Sequence, residues 1–90
     1  MSSLSVVTTR QELFCKLPTG GLLSVNEGVP ITDALEHASC LLACVNSLSA
    51  SIGDGNAEPV DAYAIQYLNE LAKGLIDACV SGALRKEASQ

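Results

Sequence analysis

The chain has 90 residues, 48% of them apolar, and a formal net charge of −5. That length supports one domain with a modest core. Its five cations, Arg10, Lys16, Lys73, Arg85 and Lys86, form no basic stripe. This excludes direct nucleic-acid binding, which needs Lys and Arg to displace phosphate counterions, and disfavours an anionic membrane surface.

Aromatic residues are limited to Phe14, Tyr63 and Tyr67, with no tryptophan. A core of Leu, Val, Ile and Ala suits close helix packing better than a β-sandwich. No apolar run approaches the roughly 18 residues of a membrane span. The opening "MSSLSVVTTRQELF" lacks the basic and apolar regions of a signal peptide. The expectation is a cytoplasmic protein whose four cysteines stay reduced.

Residues 1–12 carry Ser and Thr with little pattern and read as a mobile N-terminal arm. "LFCKL" (13–17), "PTGG" (18–21) and "LLSV" (22–25) then read as a β-hairpin around a Pro-Gly turn. A lone hairpin is marginal in water, so it must lie against something larger. "NEGVP" (26–30) leads into a helix, with Pro30 in its first turn and Thr32 and Asp33 offering capping oxygens. Apolar residues at 31, 34, 38, 41, 45, 48 and 52 alternate three and four apart, a heptad-type stripe widened by Leu35 and Leu42.

"GDGN" (53–56) ends that helix. Pro59 opens a second, with Asn56, Glu58 and Asp61 supplying caps and charge, running to about Leu84. Arg85 and Lys86 sit at its negative end, and residues 87–90 read as a frayed terminus. The domain proper is therefore 13–86, a mainly α helical hairpin preceded by a short β-hairpin.

The two helices, roughly 33 and 39 Å long at 1.5 Å per residue, share only one seam if packed on each other alone. The second has an apolar arc of about 180°, more than one partner helix covers. Association of two chains into a four-helix bundle satisfies it, most simply as a twofold homodimer. The candidate interface is Leu41, Leu48, Ile65, Leu68, Ala72, Leu75, Ile76 and Cys79. The alternative is that the β-hairpin covers the second face within one chain.

"LEHASCLLAC" (35–44) puts His37, Cys40 and Cys44 on one flank of the first helix. They are weak candidates for a metal- or thiol-based sensor. Structural zinc sites usually draw on loops and paired C-x2-C spacing, absent here, and cysteine packs as a small hydrophobe. Packing is the preferred reading. Asp33, His37 and Ser39 lack a nucleophile turn and an oxyanion hole. "PTGGLL" is no phosphate loop and "GDGN" no EF-hand, so no catalytic site and no cofactor are expected.

"LLSVNEGV", "DALEHAS" and "YLNELAKGLID" together resemble a small family of uncharacterised proteins, mainly from pseudomonads, catalogued as a domain of unknown function. The resemblance covers about residues 13 to 80 and implies no activity or site residue. The expected role is a small non-enzymatic, homodimeric protein-interaction or regulatory module, with a protein partner of unstated identity. A carrier of a small apolar ligand in the helical core is a further alternative.

Overall fold

The computed structural model describes residues 7–88 of the chain. Its elements run β1 (Glu12–Leu17), β2 (Gly20–Val25), α1 (Ile31–Gly53) and α2 (Pro59–Ala88). The two strands pair antiparallel, from Glu12 opposite Val25 to Leu17 opposite Gly20. The predicted hairpin and both predicted helices are present, and no helix among the described residues is long and apolar enough to cross a membrane.

The hairpin turn is tighter than "PTGG" suggested. Pro18 and Thr19 alone make the turn, and both glycines enter β2. Gly21 is needed there because a side chain would collide with Leu13 Cβ, at 2.7 Å. β1 bends at Cys15, whose φ of 52° lies in the left-handed region. Its N–H leaves the ladder and donates to Glu70 Oε2 of α2 at 3.4 Å.

The start of α1 differs from the expected capping. Pro30 is the N-cap, in extended conformation, and no side chain caps the helix. The chain's own lead-in does this work. Ile31 N–H donates to the Val7 carbonyl at 3.2 Å, and Thr8 pairs with Pro30 in an isolated bridge. Thr32 and Asp33 therefore have no capping role. A Schellman turn ends the helix: Gly55 N–H bonds to Ile52 O and Asn56 N–H to Ser51 O, both at 3.0 Å, with Gly55 at φ 82°. At the start of α2, Asp61 Oδ2 accepts the Glu58 N–H at 2.9 Å, half of a capping box.

Residues 7–10 are docked, which corrects the expectation of an arm over this part of the chain. Thr9 is 1% exposed and fully bonded. Its hydroxyl donates to Asn26 O at 2.6 Å and accepts from Val29 N–H at 3.1 Å. Its backbone exchanges bonds with Val29 O at 2.8 Å and Gly28 N–H at 3.0 Å, while Arg10 N–H reaches Ala78 O at 3.2 Å. The physical reason is a line of small residues on α2. Gly74, Ala78 and Gly82, four apart, lie on one helical stripe. A Cβ on Gly74 would press the Phe14 ring at 3.0 Å, and one on Gly82 would overlap the Thr8 carbonyl. A ring at Gly74 and backbone at Gly82 come closer there than larger residues would allow. Residues 1–6 and 89–90, the rest of the expected arm and frayed end, lie outside the described residues. α2 itself continues past Leu84 to Ala88.

α2 is the centre of the fold. α1 packs along one side and the β-hairpin along another, while the hairpin backbone stays clear of α1. One apolar cluster joins Val7, Ile31, Ala34 and Cys79, a second joins Phe14, Val25 and Ala78, and Leu75 touches both. The Cα trace measures 52 × 37 × 15 Å, a single layer of elements side by side. Its radius of gyration is 15.4 Å, against roughly 12 Å for a compact chain of this length.

Candidate functional site

Because α1 and the hairpin flank α2 without meeting, they leave a groove along one face of the layer, of about 440 Å³. Val25 and Val29 form one wall, and Leu75 lies at the floor. The other wall is α1, with Asp33, Ala34, His37, Cys40, Leu41 and Cys44. The helical repeat explains that wall: at 100° per residue, His37, Leu41 and Cys44 fall to one side of the Ala34–Ala38 line that seats α1 on α2.

His37, Cys40 and Cys44 thus share a surface, as their spacing implied, and all three are exposed. Among the described residues, no three His, Cys, Asp or Glu side chains form a group that could hold a metal ion. The thiols extend an apolar wall.

The eight candidate interface residues divide into two sets. Ala72 and Cys79 are buried within the chain, at 1% and 5% exposure. Cys79 packs against Ile31 and Ala34, and its Sγ lies 3.8 Å from the Ile31 carbonyl that it faces as donor. Burial pushes its thiol pKa up. Neither position lies on an outer surface of the chain. Leu41, Leu48, Ile65, Leu68, Leu75 and Ile76 are only half-buried. The hairpin covers part of the second face of α2, as the alternative reading anticipated, through Phe14 and Val25. Beyond its reach, Val60, Tyr63 and Tyr67 stand more than half exposed.

The opposite face of α2 is mixed, with Lys73 and Asp77 beside the exposed Val80 and Leu84. Lys73 bonds both oxygens of Asp77 at 2.7 Å, and that hydrogen bond and charge hold the lysine proton more firmly than usual. At the open end of the helical hairpin, Arg10, Arg85 and Lys86 line a second cleft with Glu27 and Gly82; Arg85 sits 3.8 Å from Glu27. The sequence reading missed this grouping, since Arg10 is far from Arg85 in the chain and reaches it only through the docked lead-in.

Fold and site together define a flat helical hairpin with a docked β-hairpin and an apolar groove. Residues 15–82 match the family described as Protein of unknown function (DUF3077), and the chain belongs to that family. No curated protein and no solved structure matches it.

Proposed function

We propose that this protein is a non-enzymatic interaction module that works as a homodimer, its two helical hairpins closing on each other as a four-helix bundle. The observation that carries this reading is the single-layer shape with an apolar face left open. Domains bury apolar stripes between two layers, and one chain supplies only one.

Two further observations support it. No leucine among the described side chains is buried, and four of the nine buried apolar residues are alanines, so the larger aliphatic groups are left half outside. The accessible surface is 6150 Å², where a compact monomer of 9.3 kDa has about 5,000 Å² by mass scaling. The surplus, on the order of 1,100 Å² per chain, is comparable to what each partner contributes to an obligate dimer. The paired chains would leave their outer surfaces for a protein partner.

Sedimentation velocity over a dilution series tests the reading. A dimer that dissociates only on dilution supports it. A monomer throughout overturns it.

A further inference from the structure

We infer that the second copy lies antiparallel, the closed tip of each helical hairpin resting over the open end of its partner. This rests on the homodimer reading and adds the direction of pairing.

Charge is the first argument. The tip, formed by the α1–α2 turn and the first turn of α2, carries Asp54, Glu58 and Asp61 and no cation. The open end gathers Arg10, Arg85 and Lys86, three of the five cations in the chain, into one cleft with a single carboxylate, Glu27, 3.8 Å from Arg85. Parallel pairing would set three carboxylates against the same three of the partner with no cation among them. Like charges facing each other across an interface are costly. Antiparallel pairing sets each tip against the partner's cations, and the twofold axis makes that contact twice.

Shape is the second argument and is independent of charge. The groove is concave and occupies the part of the face bounded by the hairpin, from Val29 to Cys44. The tip half carries Val60, Tyr63 and Tyr67, at 65%, 65% and 57% exposure, on the flank of α2 that bears Gly74 and Ala78. In parallel pairing, groove would face groove and leave an unfilled void, which forfeits contacts on both sides. In antiparallel pairing each groove instead faces the partner's tip half, where Leu48 and Leu68 are half-buried. Tyr63 and Tyr67, on the flank, stand at the rim of that contact, where an apolar ring with a wet hydroxyl fits. The surplus surface noted above is the area such a contact would cover.

Zero-length carbodiimide coupling of the unmodified protein tests the direction. It joins a lysine Nζ to a carboxylate with loss of water, so only groups in contact react. Within one chain Lys86 and Glu58 stand at opposite ends of α2, about 40 Å apart at 1.5 Å per residue. A link between them can form only between chains. The expected result, in the dimer fraction, is a peptide joining Lys86 to Asp54, Glu58 or Asp61. A dimer without that link overturns the antiparallel arrangement alone, whereas a protein that is monomeric overturns the homodimer as well.

A charge-reversal pair gives a second readout. Arg85→Glu with Lys86→Glu should weaken the dimer at least tenfold, and adding Asp54→Lys with Glu58→Lys should restore most of the loss. A dimer indifferent to the first pair, or not rescued by the second, overturns the proposal.

Discussion

Replacing Gly82 by alanine sets two effects of opposite sign against each other. In a helix interior, glycine to alanine is favourable by roughly 0.5–1 kcal/mol, because alanine has less backbone freedom to lose. Gly82 lies inside α2 with the Thr8 carbonyl where a Cβ would go and Thr9 Cα 3.3 Å away. Both obstacles are backbone, so the lead-in must lift. Lifting it exposes Val7 and Thr9, both buried, and breaks the bonds of Thr9 to Val29 and Gly28, of Arg10 to Ala78 and of Ile31 to Val7. Burial of one valine is worth about 1.5–3 kcal/mol, and each net hydrogen bond about 0.5–1.5 kcal/mol. With partial relaxation and the propensity gain subtracted, Gly82→Ala should lose about 2–4 kcal/mol. Urea unfolding followed by circular dichroism, at one protein concentration, measures it. Gly53→Ala is the control, since a Cβ there meets nothing within 4 Å, and it should leave stability equal or raise it by up to about 1 kcal/mol. A Gly82→Ala protein more stable than its parent would refute the docking of residues 7–10.

Thr9→Val keeps the shape but strands the Asn26 carbonyl and the Val29 N–H, and should cost about 1–3 kcal/mol in the same assay. Phe14→Ala empties the space over Gly74 and Ala78 and should cost about 3–5 kcal/mol, enough to leave much of a domain this small unfolded in thermal melts. Thiol alkylation should modify Cys40 and Cys44 fastest and Cys79 slowest, and the Cys44 rate should fall as protein concentration is raised and the groove is covered. The raised Cys79 pKa fixes a sign for alkaline pH. The folded state holds that proton more tightly than the unfolded one. The contribution is whole below the unfolded thiol's value, near 8.5, and is lost as pH rises through the higher folded value. Urea midpoints should therefore decline across that range, and less so in Cys79→Ala.

Much of this fold could be read from residue spacing, because the forces behind it are local. The three-four alternation from Ile31 to Ile52 gave α1. "GDGN" gave its end, which the structure resolves into a Schellman turn around Gly55. Pro59 gave the start of α2. The docked lead-in was not legible, because "VTTR" has no apolar period and holds its place by backbone hydrogen bonds, which any residue can make. The signal that could have found it was in α2. Gly74 and Gly82 interrupt a good helical pattern, and a glycine in such a place often has a packing reason. The N-cap of α1 was misread for the same reason, since the oxygen that accepts the first N–H belongs to Val7 and not to a nearby Ser, Thr or Asp.

The groove was half legible. His37, Cys40 and Cys44 could be placed on one flank of α1 from spacing alone. That the flank would face Val25 and Val29 depends on where the hairpin docks, which Phe14 on Gly74 decides. Cys79 was assigned to an outer surface because its position on the apolar arc of α2 does not say which neighbour covers it. The structure gives it to Ile31, Ala34 and Val7.

The most direct test of the homodimer is native mass spectrometry of the tag-free, reduced protein, prepared without chelator. The expected result is a mass twice that of the 9.3 kDa chain, with nothing added. A single-chain mass at every concentration, or an excess equal to a metal ion or an organic molecule, would contradict an interaction module built from two bare copies of this chain.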